Sequence, residues 1–130
     1  MITGKRKDGL SAEIEAGNHR IISGVAESLG GHDEGPSPHE ILEAALAACT
    51  IITGQMWANH KGWKLDSIDV YVKILSEGEE TRISREVSYR GDLTADQSKR
   101  LTEIIEKCPI HKLLESHVTI ETKATSPDRT

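Results

Sequence analysis

Two cysteines are the residues of this 130-residue chain whose settings most clearly suggest chemistry. Cys49 lies within the long apolar stretch 41–52, whereas Cys108 stands directly before Pro109 at an expected boundary between two helices. A thiol that attacks a peroxide becomes a sulfenic acid, and a second thiol can resolve that sulfenic acid as a disulfide. The pair therefore suggests redox chemistry. The structural alternatives are a small buried side chain at Cys49 and a boundary residue at Cys108.

Ionisation limits how much such a reaction gains from the thiolate alone. A free thiol with a pKa of about 8.5 is roughly 3% thiolate at about pH 7, so complete ionisation accelerates attack only about 30-fold. Further rate must come from donors that hold the peroxide and stabilise the departing oxygen. An arginine suits this role because its guanidinium carries several donors in a fixed fork. Arg20, on a predicted strand, is the first choice, and Arg6, in the basic N-terminal run, is the second.

A long helix over residues 38–61 is predicted to carry Cys49. Ser37 is a good N-cap, a proline occupies the first helical position, and Glu40 completes a capping box with Ser37. Gly62 is the expected end of the helix. The first half of the helix is apolar on nearly every face, so we expect it to be a central, enclosed element.

Short alternating segments and two further helices complete the pattern. The segments with strand character are residues 10–16, 19–25, 67–74, 81–89 and 118–122, with a turn at Gly17 and Asn18. One helix is predicted from Thr94, with which Gln97 completes a second capping box, to near Lys107, and another from Pro109 to Glu115. Residues 126–130 are expected to fray. Strands in runs between helices indicate one α+β domain over residues 1–130 with a largely antiparallel sheet.

The composition excludes several classes of protein. The net charge is -5, from 21 acidic and 16 basic side chains, which argues against a nucleic-acid surface with its clustered Lys and Arg. No run reaches the roughly 18–20 apolar residues of a membrane span, and residues 1–9 lack the apolar core of a signal peptide. We therefore expect a cytoplasmic protein with neither a membrane nor a nucleic-acid partner, in which a permanent structural disulfide would be unusual.

Two motifs surround the cysteines. Residues 35–50 read GPSPHEILEAALAACT, and residues 107–114 read KCPIHKLL. The first resembles the Gly-Pro-x-Pro-x-Glu-Leu helix that leads to the first cysteine of the OsmC/Ohr family of organic hydroperoxide reductases. The second is similar to the Cys-Pro-(Val/Ile)-His stretch around that family's second cysteine. The motifs occur in the family's order, and the order of elements fits it from about Leu10 to Lys123.

The resemblance implies an OsmC-like fold with a long central helix, in an intertwined homodimer with two equivalent sites between the subunits. It implies that Cys49 is the peroxidatic thiol and Cys108 the resolving thiol. Attack on an organic hydroperoxide would then release an alcohol and lead to a Cys49–Cys108 disulfide. An external dithiol, a dihydrolipoyl group in the best-understood members, would restore both thiols without any metal or cofactor.

The chain departs from the peroxidase branch of that family at one position. His39 stands where that branch has an acidic residue directly after the proline of the helix start. Glu40 matches the shorter Gly-Pro-x-Pro-x-Glu branch and is either a catalytic carboxylate or only a helix cap.

Two other classes of function stay open at this point. Cys49, Cys108, His39 and His111 could form a Cys₂His₂ metal site, although only one short-spaced ligand pair supports it. Alternatively, the protein binds a ligand without peroxidase turnover. His111 is either a base or a structural histidine, and Thr53 and Trp57 either wall an apolar pocket or belong to the core.

Overall fold

The computed structural model describes residues 1–125. Its strands are β1 (Ile2–Arg6), β2 (Ala12–Ala16), β3 (His19–Ser23), β4 (Lys64–Ser76) and β5 (Arg82–Asp92). Its helices are α1 (Pro38–Lys61), α2 (Ala95–Ile105) and α3 (Pro109–Glu115), with a 3₁₀ turn at Glu27–Leu29. The strands form two antiparallel sheets in the orders β1-β2-β3 and β4-β5. The α+β class with antiparallel sheets and a long helix is confirmed.

The N-terminal sheet contains the predicted hairpin and one unpredicted strand. β2 and β3 pair from Ala12 with Ser23 to Ala16 with His19, so the turn falls at residues 17–18 as expected. β1 was not predicted, because its residues are mostly polar and give no alternation. It pairs along β2 from Ile2 with Ala16 to Arg6 with Ala12, and all five of its residues are exposed.

The loop after β3 leads the chain to α1 and stays in contact with β3. The Ser23 hydroxyl donates to the Pro36 carbonyl at 2.8 Å, and the Gly24 amide donates to the same oxygen at 3.3 Å. Gly35 passes so close to β3 that a Cβ there would lie 1.9 Å from the Ile22 carbonyl oxygen. Glycine at position 35 therefore permits the close approach of loop and strand that fixes where α1 begins.

The bounds of α1 are those predicted from the sequence. Ser37 is the N-cap, where its hydroxyl accepts from the Glu40 amide at 3.2 Å and its own amide donates to Glu40 Oε1 at 3.0 Å. Gly62, with a φ of 71°, ends the helix in the left-handed conformation that glycine adopts without strain. The second predicted capping box, between Thr94 and Gln97, is also present at the start of α2.

The hydrophobic core lies where α1 packs against β4 and α2. Its buried residues include Ala58, Leu65, Ile68 and Leu101. Gly54 lets α1 approach the sheet, because a Cβ there would lie 2.6 Å from Ile68 Cδ1. We call α1, α2, β4 and β5 together the body of the protein. Packing against β4 and α2 holds α1, and with it Cys49, in a fixed position.

The opposite side of α1 corrects the expectation that this helix is enclosed. Large apolar residues on that side are exposed, among them Ile51, Ile52 and Met56, so the helix is not enclosed within a single chain. The length and composition of α1 would also suit a membrane-spanning helix, and only 22% of its most apolar 18-residue stretch is buried. Core helices of soluble proteins meet the same criterion, and α1 packs on one side against β4 and α2.

The prediction of a strand at residues 118–122 is wrong. These residues have no regular secondary structure, and Val118 and Ile120 are 55% and 83% exposed. Alternation favours a strand only where a neighbouring strand offers hydrogen bonds, and among residues 1–125 no strand pairs with this segment. β4 extends beyond both of its predicted ends and β5 beyond its predicted C-terminal end, whereas the predicted bounds of α3 are confirmed. The expected fraying of residues 126–130 lies outside the described residues.

Candidate functional site

Cys49 lies at the flank of the buried face of α1. That face consists of Leu46, Thr50, Gly54 and Ala58, four residues apart along the helix. Cys49 itself is half-buried and carries a free thiol, with its Sγ 3.9 Å from Thr53 Oγ1. The sulfur is therefore neither sealed in the core nor fully exposed.

Cys108 is the N-cap residue of α3 and is fully buried. Its amide donates to the Ile105 carbonyl at 3.1 Å and its carbonyl accepts from the Lys112 amide at 3.1 Å, so the backbone is fixed on both sides of the α2–α3 junction. The thiol is free and makes no capping hydrogen bond. Because α3 packs against α1, the helix that begins at Cys108 contacts the helix that carries Cys49.

Arg85 is a central residue of this region that the sequence analysis did not single out. Its Nη1 donates to Thr50 Oγ1 at 3.2 Å, and its Nη2 lies 2.8 Å from His111 Nδ1. Arg85 is half-buried on β5, on the strand face that it shares with Ile83 and Val87. An arginine at an alternate position of an apolar strand face was the available signal, because such a side chain needs polar partners on that face.

Arg20 and Arg6 lie on the N-terminal sheet. Arg20 Nε is 3.2 Å from Glu13 Oε1, and the Arg20 side chain is 65% exposed. Arg6 Nε donates to the Gly9 carbonyl at 2.9 Å. The contacts of these two arginines thus stay within the N-terminal part of the chain, and neither contact involves Cys49 or Cys108.

Glu40 and His39 are both engaged at the start of α1. Glu40 Oε1 accepts a hydrogen bond from the Ser37 amide, so the capping interpretation of Glu40 is confirmed. His39 Nε2 lies 2.7 Å from Glu77 Oε1, in an exposed pair between the helix start and the β4–β5 hairpin.

An open cavity of about 940 Å³ lies between α1, β5 and the two C-terminal helices. Arg85 and His111 line it together with apolar side chains that include Leu42, Leu46, Ile83, Val87, Ile105 and Leu114. Neither cysteine is among the lining residues. The cavity is therefore adjacent to the helices of the thiols without containing either sulfur.

The four residues of the metal hypothesis are not assembled into a site. Among residues 1–125 no group of three or more His, Cys, Asp and Glu side chains is placed to hold a metal ion. Both ring nitrogens of His111 are occupied, Nδ1 by Arg85 and Nε2 by Glu115 Oε1 at 2.9 Å. His39 pairs with Glu77 instead of approaching a cysteine.

Tyr89 and Trp57 belong to the packed body. Burial raises the pKa of Tyr89 above its usual 10.0, an effect opposed by the hydrogen bond to Thr102 and by the nearby Arg85 charge. Tyr89 Oη and Thr102 Oγ1 are 2.8 Å apart. Trp57 packs against the core, and its buried Nε1 has no acceptor within the described residues. Trp57 is thus a core residue, whereas Thr53 contacts Cys49.

Comparisons with known proteins identify the family and the fold of the chain. A family model described as OsmC-like protein matches residues 31–123. A search of curated proteins found no match. Several solved structures share the fold. A putative osmotic stress induced and detoxification response protein from Psychrobacter arcticus is 18% identical, with a TM-score of 0.75 and coverage of 86% of this chain and 85% of that chain.

Two further structures carry names related to hydroperoxides. The organic hydroperoxide resistance protein OsmC from Legionella pneumophila is 18% identical, with a TM-score of 0.65 and coverage of 88% of each chain. The organic hydroperoxide resistance protein OhrB of Bacillus subtilis is 19% identical, with a TM-score of 0.63 and coverage of 88% of this chain and 89% of that chain. At these identities the likeness shows a shared fold. With the family model matching most of the chain, this protein belongs to the family of OsmC-like proteins.

Proposed function

We propose that this protein is a cysteine-dependent peroxidase that reduces organic hydroperoxides to alcohols. The observation that carries the proposal is the presence of two free thiols on helices that pack against each other, one half-buried and one fully buried. The names of the structural relatives from Legionella pneumophila and Bacillus subtilis, both organic hydroperoxide resistance proteins, support the choice of substrate.

The reaction takes place in three balanced steps. The Cys49 thiolate attacks the outer oxygen of the hydroperoxide, the O–O bond breaks, and the alkoxide leaves and takes a proton to become the alcohol. Cys108 then attacks the sulfur of the Cys49 sulfenic acid, which forms the Cys49–Cys108 disulfide and releases water. An external dithiol, of the dihydrolipoyl type, reduces this disulfide and is itself oxidised to a disulfide. No metal or cofactor enters these steps.

The partially exposed setting of Cys49 supports its role as the attacking thiol. A half-buried sulfur can meet a peroxide at the surface of α1, whereas the fully buried Cys108 cannot do so first. Resolution then requires the junction between α2 and α3 to bring Cys108 to the oxidised sulfur. The assignment of attack to Cys49 and resolution to Cys108 follows this difference in exposure.

The site is completed, in our proposal, by a second copy of the chain. The exposed apolar residues Ile51, Ile52 and Met56 on α1 give such a copy a surface to cover. Contacts between the N-terminal sheet and the helices of the same chain are few, so that sheet is available to pack against the other copy. Arg20 would then reach the peroxide from this sheet and stabilise the departing oxygen.

Glu40 is the proposed carboxylate partner of that guanidinium. Its Oε1 is used by the capping box, which fixes the rotamer of the side chain and leaves Oε2 to receive a charged donor. The carboxylate would hold the Arg20 fork in the orientation that faces Cys49. We place the whole reaction in the cytoplasm, where a dithiol reductant can regenerate the enzyme.

Steady-state reduction of cumene hydroperoxide with a dithiol as reductant tests the proposal. Cys49→Ser should abolish turnover, because no other residue supplies the attacking sulfur. Cys108→Ser should allow one turnover and leave a sulfenic acid that an alkylating probe traps. Multiple turnovers by Cys108→Ser at the wild-type rate would remove Cys108 from the mechanism, and turnover by Cys49→Ser would remove the proposal itself.

Ligand binding without turnover is the second candidate function. It is favoured by one observation, namely that the cavity of about 940 Å³ contains neither cysteine among its lining residues. A wild-type protein that reduces neither cumene hydroperoxide nor H₂O₂ would turn attention to this cavity. A faster reaction with cumene hydroperoxide than with H₂O₂ supports the peroxidase.

A further inference from the structure

A chain of hydrogen bonds connects the two helices that carry the cysteines. Arg85 projects from β5 and donates through Nη1 to Thr50 Oγ1 at 3.2 Å and through Nη2 to His111 Nδ1 at 2.8 Å. Thr50 directly follows Cys49 on α1, and His111 lies three residues after Cys108 on α3. One side chain on the sheet therefore fixes the helix of each thiol.

The Thr50 end of these connected hydrogen bonds is held firmly in place. Thr50 is fully buried, and its hydroxyl donates to the Leu46 carbonyl at 2.7 Å. The hydroxyl proton is thereby committed to the helix, so the oxygen faces Arg85 as an acceptor. Loss of the guanidinium would leave this acceptor without its partner in a site closed to water.

The hydrogen-bond partners of Arg85 among residues 1–125 carry no opposite charge. Within residues 1–125 no Asp or Glu side chain forms an ion pair with Arg85, and its partners are a hydroxyl and an imidazole. A half-buried guanidinium with only neutral partners is poorly placed for stability alone. Its geometry is suited to holding two elements in register, because its donors lie in a planar fork.

The same bond defines the protonation state of His111. A guanidinium only donates, so Nδ1 must accept and the ring proton must sit on Nε2, from which it is donated to Glu115 Oε1 at 2.9 Å. Protonation of Nδ1 would remove the acceptor and set two cations against each other. The charged and titratable groups that share the cavity with His111 are His39 from α1, Glu77 from the β4–β5 hairpin, Arg85 from β5, Glu106 from the α2–α3 junction and Glu115 from α3.

From this arrangement we infer that Arg85 is a positioning residue that holds the Cys108 end of α3 against α1 so that the Cys49–Cys108 disulfide can form. The inference rests on the proposed function and assigns Arg85 to the second step only. Arg85 touches neither sulfur nor peroxide, and the attack of Cys49 on the peroxide proceeds without it.

The chain offers a matched control for this inference. Arg90 lies on the same strand, is 71% exposed and pairs with Asp69 through Nε at 2.6 Å. Arg85→Gln and Arg90→Gln therefore make the same chemical change on β5, and only the first removes the connection between α1 and α3.

The first experiment equilibrates the protein with mixtures of reduced and oxidised glutathione and measures the effective concentration of the two thiols for each other. Arg85→Gln should lower it by about tenfold or more, the effect of one charge-assisted hydrogen bond, whereas Arg90→Gln should stay within about twofold of wild type. Equal values for Arg85→Gln and wild type would overturn the inference. A wild-type protein that forms no Cys49–Cys108 disulfide at any glutathione ratio would overturn it as well.

The second experiment follows a single turnover with cumene hydroperoxide in a stopped-flow instrument. In Arg85→Gln the peroxide-dependent phase should keep its rate within about twofold, and the later, peroxide-independent phase should slow about tenfold or more. If no protein reacts with the peroxide but the glutathione measurement still separates the two variants, the proposed function fails and the positioning role of Arg85 stands. An unchanged second phase in Arg85→Gln would contradict the positioning role while leaving the peroxidase intact.

Substitutions of His111 keep the test independent of the folding of Arg85→Gln. Asn carries an amide oxygen near the place of Nδ1, so His111→Asn should keep the wild-type effective concentration, whereas His111→Leu should lose it. Equal effective concentrations for the Asn and Leu variants would contradict the role assigned to this bond.

Discussion

The N-terminal sheet and the α1–β4–β5–α2 body are held together in different ways. The body has its own core, in which Ala58 and Leu101 are fully buried. The N-terminal sheet is held by its own strand pairs and by the loop that returns to β3, and all residues of β1 are exposed. The body can therefore fix a catalytic group by packing within one chain, whereas the N-terminal sheet needs another surface to do so.

The two strand arginines illustrate this difference. Arg20 on the N-terminal sheet is 65% exposed and pairs with Glu13, and Arg85 in the body is bonded to two helices. An exposed pair of this kind holds its side chain weakly, because solvent competes for both charges. The proposed recruitment of Arg20 to a peroxide therefore has little to break, whereas Arg85 is held in the arrangement of its own chain.

The largest expected difference between the two regions is in stability. Leu101→Ala should lower the free energy of unfolding by about 2–5 kcal/mol, because it leaves a cavity in the core of the body. Ile21→Ala on β3 should lower it by about 1 kcal/mol or less, because Ile21 is already exposed in the single chain. Urea unfolding measures both variants.

Protein concentration sharpens this first prediction. If the N-terminal sheet packs against a second copy, Ile21→Ala should weaken self-association in sedimentation experiments, whereas Leu101→Ala should act at every concentration. Equal losses of stability in the two variants, independent of concentration, would remove the distinction between the regions.

The arginine of the N-terminal sheet should affect the rate far more than the stability. Arg20→Ala should slow the attack of Cys49 on cumene hydroperoxide by about 10²–10³-fold, the usual effect of losing a donor to a departing oxygen. Its effect on the free energy of unfolding should stay under about 1 kcal/mol, because the ion pair with Glu13 is largely exposed on the arginine side. Stopped-flow oxidation measures the rate, with Arg6→Ala as the matched variant. If Arg6→Ala slowed the oxidation of Cys49 and Arg20→Ala did not, the role of donor to the departing oxygen would belong to Arg6.

Glu40 distinguishes the capping role from the catalytic one. Gln at the same position completes a capping box, so Glu40→Gln should change the free energy of unfolding by less than about 0.5 kcal/mol. The loss of charge should slow peroxide attack by about tenfold if the carboxylate orients a guanidinium. Stopped-flow rates and urea curves on the same preparation separate these effects. An unchanged rate would leave Glu40 as a helix cap alone.

The smallest predicted effect is on stability in alkaline solution. The raised pKa of Tyr89 means that the folded protein holds the phenol proton more tightly than the unfolded chain does. The resulting stability is complete below the unfolded value of about 10.0 and is lost as the pH rises through the folded value. Tyr89→Phe has no phenol to ionise, so its free energy of unfolding should fall less across that range. Parallel pH curves for both proteins would contradict the raised pKa of Tyr89.

Much of the fold could be predicted from local chemistry. The capping box at Ser37 and the left-handed end at Gly62 determine α1 through the residues themselves, and both ends are confirmed. The strand predicted at residues 118–122 was wrong, because alternation shows only that a segment suits a strand and does not show that another strand lies beside it to pair with. The same limit applies to β1, since its polar residues pair with β2 without any apolar period.

The candidate site was only partly predictable, because its connections are long-range. The cysteines stand out from their motifs, and the cap at Glu40 from its spacing. Arg85, Thr50 and His111 come from three different elements, so only the folded chain shows that they meet. The enclosed α1 was wrong for one chain, since a helix that is apolar on all faces needs more partners than its own chain provides.

Peptide mapping after oxidation tests the central claim most directly. The reduced wild-type protein is treated with an equimolar amount of cumene hydroperoxide, and its peptides are separated without a reductant. We expect one disulfide-linked pair that joins the peptide of Cys49 to that of Cys108, with the cumyl alcohol formed in equal amount. Two titratable thiols and unconsumed hydroperoxide at the end of the reaction would contradict the account.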